Sequence, residues 1–269
     1  MLAIESAGLT DIGNKRKNNE DSYFLDDDLK LYIVADGMGG HLAGEVASKL
    51  VVDTTRDYLK RFHTGIQVEE LIDTDPSLSK NANRLIAGLQ LANSVVNKFS
   101  ENKGAYSGMG STVSAVYFPG DSLIASNIGD SPIFLVHKGE ISLVSVIHNV
   151  AAEQAILDPE GAKDLNGKYS NILTRAMGKD EDIMPATREI RVVPGDIIIL
   201  CSDGLSSYVP DHEIKDIVAA GSLEESCKTL VDLALERGGH DNITVVLLRV
   251  KKVRGFLSGL FEFLKKPFG

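Results

Sequence analysis

Tyr32-Ile33-Val34-Ala35-Asp36-Gly37 carries an apolar run straight into a carboxylate and a glycine. The run is too short for a helix and rich in β-formers, so it predicts a strand whose end presents Asp36. The same wording recurs twice. Ile198-Ile199-Leu200-Cys201-Ser202 leads into Asp203-Gly204, and Asp241-Asn242 precedes Ile243-Thr244-Val245-Val246. A single Asp-Gly is usually a turn, but acids at three strand ends can converge on one sheet edge.

Upstream, short apolar runs at 4–9, 23–25 and 29–35 alternate with turn signals such as Asp26-Asp27-Asp28, predicting an antiparallel meander. Apolar residues at three and four spacing then predict two amphipathic helices, over 44–62 and 76–102. Strands are expected at 111–118, 122–128, 133–137 and 141–146, separated by gaps of hairpin size. Residues 147–187 are polar and irregular apart from a short helix at 151–157, and they read as a flap. A strand at 188–193, the Pro194-Gly195-Asp196 turn, the run 197–201, two helices and a last strand at 243–250 complete the pattern. Strands and helices in separate blocks make the class α+β.

The chain has 269 residues, 43% hydrophobic and 25% charged, which suits an ordinary folded protein with a sizeable core. Acids outnumber bases 38 to 28, and the net charge of -10 argues against a nucleic-acid partner. Cys201 and Cys227 are far apart and outside any metal-ligand spacing, so a reducing, cytoplasmic setting is expected. Met1 to Thr10 lacks the features of a signal peptide, and no apolar run is long enough to span a membrane.

Carboxylates gathered without bases repel one another, so a site of Asp36, Asp203, Asp241 and Asp130 calls for a cation. Oxygen donors select Mg or Mn over zinc. Two such ions about 4 Å apart can generate a hydroxide and brace an in-line displacement at phosphorus. Arg16, five residues before Asp21, offers a guanidinium for the non-reacting phosphate oxygens.

Seven ordered motifs sharpen this reading: Arg16-x-x-Asn19-Glu20-Asp21, Asp36-Gly37-Met38-Gly39-Gly40-His41, Gly110-Ser111-Thr112, Gly129-Asp130-Ser131, Leu173-Thr174-Arg175-Ala176-Met177-Gly178, Ser202-Asp203-Gly204 and Gly239-His240-Asp241-Asn242. Together, over residues 1–250, they resemble the PP2C-type metal-dependent protein serine/threonine phosphatases, in the wording of the bacterial branch. The resemblance implies an α-β-β-α sandwich, two antiparallel sheets flanked by helix pairs, with two Mn or Mg ions and a weaker third at one end. By that likeness Asp36 bridges the two ions, the Gly37 carbonyl meets the second, and Asp203 and Asp241 hold the first. Asp21, with Glu20 beside it, acts on the second through water, Asp130 joins Asp203 around the third, and Arg16 holds the substrate phosphate. A metal-bridging hydroxide would then hydrolyse phosphoserine or phosphothreonine, reversing a bacterial Ser/Thr kinase. The chain departs from the family at Pro132, where an Arg usually follows Gly-Asp-Ser, and at Ile147-His148-Asn149.

His41 is a candidate general acid for the leaving hydroxyl, with a histidine hydrogen-bonded at a helix start as the alternative. The other five histidines read as surface or packing residues. Gly110, Ser111 and Thr112 lack a following Gly-Lys-Ser/Thr, so tight strand entry is expected in place of a phosphate cradle. Two other functions share the pattern: a non-catalytic module holding a phosphorylated partner, and a hydrolase of small phosphoesters with a deep pocket.

Residues 251–269 lie outside the resemblance. They carry Lys251, Lys252, Arg254, Lys265 and Lys266 against the single acid Glu262, with Phe256, Leu257, Leu260, Phe261 and Leu264 on one helical face. Such a basic amphipathic tail suits an anionic membrane surface or a partner groove, or packs back on the domain. The expected protein is therefore a cytoplasmic monomer acting on phosphorylated proteins, peripheral to the inner membrane through its tail.

Overall fold

The computed structural model describes residues 2–39, 43–64, 75–102, 104–159 and 169–252. His41, the middle of the flap and residues 253–269 of the tail lie outside the described residues.

Among the described residues eleven strands form two antiparallel sheets. One contains β1 (Leu2–Asp11), β11 (Ile243–Lys252), β10 (Ile197–Cys201), β7 (Ile133–His137) and β8 (Glu140–Leu143), in that spatial order. The other runs β2 (Asp21–Asp26), β3 (Leu31–Met38), β5 (Val113–Tyr117), β6 (Ser122–Ile128) and β9 (Ala186–Arg191), with β4 (Gly110–Ser111) paired to the end of β3. Helices α1 (Ala43–His63) and α2 (Lys80–Asn102) cover the second sheet. A short α3 (Val150–Leu157) follows β8, a single-turn α4 (Asp203–Ser206) follows β10, and α5 (Asp211–Ala220) with α6 (Leu223–Glu236) cover the first sheet. This is the α-β-β-α sandwich the motifs imply.

The layering explains why the central strands read as continuous apolar runs. On β3, Leu31, Ile33 and Ala35 pack under α1 and α2, while Tyr32 and Val34 face the other sheet. On β10 and β11, Ile197, Ile199, Cys201, Val245 and Leu247 meet the α5–α6 pair, and Ile198, Leu200, Val246 and Leu248 fill the space between sheets. Both faces of each strand are covered, so the period-2 alternation is one of partner, not of polarity.

Two expectations need correction. The first forty residues are not one meander: β1 pairs with β11 over ten residues, from Leu2↔Lys252 to Asp11↔Ile243, and only β2 and β3 form the hairpin. The physical cause is the segment 12–20, which has no two-residue turn and is long enough to carry the chain between sheets. The strand expected at 111–118 is broken at Thr112, whose backbone N–H donates to the Asp36 carbonyl at 2.8 Å while its hydroxyl receives the Asp36 N–H at 3.0 Å. Boundary shifts are smaller. β8 ends at Leu143 because Val144 and Ser145 turn inward, their N–H groups reaching the Ile133 carbonyl. Residues 76–79 form the turn that starts α2, where the Ser79 hydroxyl caps the Ala82 N–H.

The inter-sheet layer is dry, so its cost can be tested. Leu200→Ala removes a fully buried side chain and is expected to lower stability by about 2–5 kcal/mol. Urea denaturation of both proteins reads this as a lower midpoint at unchanged slope.

Candidate active site

The strand ends meet at one end of the sandwich. Asp36 near the end of β3 stands opposite Asp21 at the start of β2 in the hairpin register. Asp203 opens α4 directly after β10, and Asp241 precedes β11, the strand next to β10. Asp130 lies in the turn between β6 and β7. A cleft of about 640 Å³ is lined by Arg16, Glu20, Asp36, Gly37, Asp130, Asp203 and Asp241 on this side and by residues 171–176 with Lys179 and Asp180 on the other. The flap residues are anchored there: Met177 and Ser111 exchange backbone hydrogen bonds, and Asn93 on α2 accepts the Gly178 N–H at 2.7 Å.

Local chemistry fixes each acid. The Asp36 carbonyl takes the Thr112 N–H and also the Ser111 hydroxyl at 3.0 Å, and Thr112 leans on Ser131 through a 2.7 Å hydroxyl contact. Gly110-Ser111-Thr112 is thus a backbone clamp on the catalytic strand, in keeping with strand entry. Gly37 donates its N–H to the Glu20 carbonyl at 3.1 Å, and a Cβ there would collide with Gly44 and Glu20 backbone atoms. Gly204 is constrained in the same way by the Asn242 carbonyl.

Asp21 is buried, and its Oδ2 accepts from the Thr244 hydroxyl at 2.6 Å and the Ser202 hydroxyl at 2.8 Å. Asn242 braces the loop before it, accepting the Glu20 N–H and donating to the Ile12 and Asn18 carbonyls. That bracing delivers Arg16 to the cleft, where its guanidinium donates to Asp241 Oδ2 at 2.7 Å. The Asp241 carboxylate holds the guanidinium charge more firmly than usual.

The acids resist ionisation together. Burial, then the neighbouring acids Asp21, Asp203, Asp241 and Asp130, push Asp36 well above the carboxylate range, although the side chain still borders the cleft. Burial raises Asp203 too, with Asp241 adding to it. Asp21 is raised to about 7 by burial, against the pull of its two hydroxyl donors, and Asp130 to about 6 by burial and by Asp203. Glu20 moves up by burial, eased by Arg16.

Among the described residues no three of these side chains stand close enough to enclose one ion as they are placed. Asp241 is turned to Arg16, and Asp203 lies within hydrogen-bonding reach of Asp36. The donor set nevertheless fits a hard divalent cation: every candidate ligand is an oxygen, the acids crowd without enough base, and the buried atoms Asp21 Oδ1 and Asp203 Oδ1 have no hydrogen-bond partner. The structure therefore brings together Arg16, Glu20, Asp21, Asp36, Gly37, Asp130, Asp203 and Asp241, while His41 lies outside the described residues.

Several supports had a role that the sequence did not reveal. Ser202 stands in a motif and Thr244 in an apolar run, but only the pairing at the ends of β10 and β11 shows that both hydroxyls meet Asp21. His148, expected as a packing or surface residue, is buried and accepts the Gly129 N–H at 3.2 Å, which shapes the turn that carries Asp130. Asn149 hydrogen-bonds Asp130 and caps α3. Cys201 is a core residue whose thiol is pushed far up by burial, so it has no nucleophilic role.

Comparison with known proteins matches this arrangement. The family described as Protein phosphatase 2C matches residues 13–243. The serine/threonine protein phosphatase PstP of Mycobacterium tuberculosis is 34% identical over 252 residues, covering 93% of this chain and 45% of that protein. Protein phosphatase PhpP of Streptococcus pneumoniae is 32% identical over 257 residues, covering 93% and 98%. The catalytic domain of PstP, solved in complex with two manganese ions, superposes with a TM-score of 0.80 at 30% identity, covering 94% of this chain and 100% of that one. The sandwich agrees with these likenesses, and the chain belongs to the protein phosphatase 2C family.

Proposed function

We propose that the cleft removes phosphate from phosphoserine and phosphothreonine side chains of proteins, with carboxylate-held cations and Arg16 sharing the phosphoryl group. The chain is a protein serine/threonine phosphatase of the 2C type, and the observation that carries the residue roles is the all-oxygen acid cluster with its two unpartnered buried oxygens.

Asp36, the Gly37 carbonyl, Asp203 and Asp241 would hold two Mn or Mg ions, with Glu20 and Asp21 acting through water. Asp130 would join Asp203 for a weaker third ion. Ions so held lower the pKa of water and neutralise charge on phosphoryl oxygens. Arg16 is half-exposed at the rim, and its planar guanidinium can exchange the Asp241 carboxylate for two phosphate oxygens of the same geometry. Thr244 and Ser202 keep Asp21 Oδ2 occupied, which leaves Oδ1 as the lone-pair site that can accept a proton or a water hydrogen. The departing serine or threonine oxygen needs a proton, and His41, two residues beyond the cleft residues 37–39, is the residue assigned to supply it.

The wider setting belongs to the same proposal. A phosphatase of this type opposes a Ser/Thr kinase, and no described helix is long and apolar enough to cross a membrane. Two cysteines that are buried and unpaired suit a cytoplasmic monomer, and the basic residues of 251–269 suit contact with an anionic membrane or a partner groove. Lys251 pairs with Glu5 at 2.8 Å, and Lys251 and Lys252 both belong to the β1–β11 ladder.

Turnover of a phosphothreonine peptide should require Mn or Mg and cease in excess chelator; full activity in chelator would overturn the assignment. In the same assay Asp36→Asn or Asp203→Asn should lower kcat by about a hundredfold or more. Arg16→Ala should raise KM about tenfold through loss of charge-assisted hydrogen bonds, while calorimetry finds its Mn sites retained. The raised acids also set a pH dependence. Asp130 and Asp21 keep protons in the folded chain up to about 6 and about 7, whereas in the unfolded chain they lose them near about 4. Raised folded values mean that the metal-free protein loses stability as pH climbs through that window. Mn must displace protons from the acids that hold it, Asp36 and Asp203 included, so its affinity should rise as pH climbs through about 6 to about 7, as titration calorimetry across pH can read.

A further inference from the structure

A second cavity of about 220 Å³ opens beside the catalytic cleft and shares Asp130, Asn171 and Asp203 with it, but neither Arg16 nor Asp241. Its other lining residues are the apolar Pro132, Phe134, Leu143 and Ile147 and the uncharged polar Asn149, Ser170, Ser206 of α4 and Ser207, which caps that helix. Phe134 and Leu143 are cross-strand partners on β7 and β8, at the free edge of the first sheet. Pro132 and Phe134 are buried, yet Leu143 leaves 44% of its surface exposed, and Ile147 is half-buried. An apolar recess held open to water at the mouth of a polar cleft is unfavourable unless something apolar fills it.

We propose that this recess is a substrate subsite that takes one large apolar side chain adjacent to the phosphoserine or phosphothreonine. The inference rests on the phosphatase reading above. Continuity decides the occupant. The recess shares the carboxylates of the cleft, so a peptide whose phosphate reaches Arg16 and Asp36 passes its lip at Asp130 and Asp203. Those two acids repel an acidic side chain, and as candidate cation ligands under the phosphatase reading they leave no free carboxylate for a basic one, the rest of the lining being uncharged. The volume suits a single Leu, Ile, Met or Phe. Leu143 is the selecting residue because it is the exposed wall, contributed by the edge strand β8, which carries no metal-ligand candidate itself.

The test uses the full chain with Mn and three substrates: a phosphothreonine peptide with leucine at the positions flanking the phosphoresidue, the same peptide with serine there, and p-nitrophenyl phosphate. The parent should prefer the leucine peptide by about tenfold in kcat/KM. Leu143→Ser should erase most of that preference while p-nitrophenyl phosphate turnover stays the same. Leu143→Phe, which keeps the wall apolar but narrows the recess, should keep a preference for an apolar residue and move it towards valine. Equal turnover of both peptides by the parent would overturn the subsite and leave the phosphatase reading standing. A parent inactive on all three substrates with Mn present would overturn both. Unchanged peptide preference in Leu143→Ser, with a change in sedimentation, would assign the recess to a second copy of the chain and overturn the proposal.

Discussion

Carboxylates that cannot all be charged at once are the constraint on which this molecule turns. Asp21, Asp36, Asp203 and Asp130 all hold their protons above the usual carboxylate range, with burial as the first cause and nearby acids, Asp241 among them, adding to it. Such a group is an unfavourable feature of the folded chain by itself, since each acid loses hydration without gaining a base. Arg16 supplies one side-chain cation directly, and it reaches Asp241. The destabilised cluster is what gives a divalent cation its driving force, and function is placed where the fold is least satisfied.

Holding that cluster in place takes a set of uncharged donors. Ser111 and Thr112 fix the Asp36 backbone, Ser202 and Thr244 fix Asp21, and Asn242 fixes the loop that presents Arg16 and Glu20. None of these groups adds charge. Each lowers the freedom of an acid that mutual repulsion would otherwise push apart, which is the preorganisation that a two-cation site needs. Their placement depends on strands from both sheets, so the site is a property of the sandwich and not of either half.

The cleft is asymmetric in its walls. One wall is made by strand ends and is rigid, because it continues the hydrogen-bond ladders and the dry layer between the sheets. The other is irregular chain, pinned at Met177 by Ser111, at Gly178 by Asn93 and at Leu173 by Asn149. Chemistry belongs to the first wall. Residues 171–176 and the apolar recess beside them border the space a substrate must cross, and loops on a fixed scaffold are where selectivity is most readily varied.

Much of this was legible in the residues. Apolar runs ending in Asp36-Gly37 and Asp203-Gly204 mark strands, and helical spacing marks α1 and α2, because those patterns follow from the period of a local element. The ordered motifs name the acids and Arg16 because the chemistry of phosphate and cation admits few residue types. Register is different. That β1 leaves its neighbours to pair with β11, that Thr112 breaks a strand to hold Asp36, and that the hydroxyls of Ser202 and Thr244 meet on Asp21 depend on contacts between residues far apart in the chain. A serine in an apolar run looks the same whether it faces solvent, a helix or a carboxylate. The sequence alone determined which elements form and which acids are the candidates for the chemistry, since both are set by local pattern and residue type. Tertiary structure alone decided which oxygens those acids present and which are left without partners, because that is settled by strand pairing and burial.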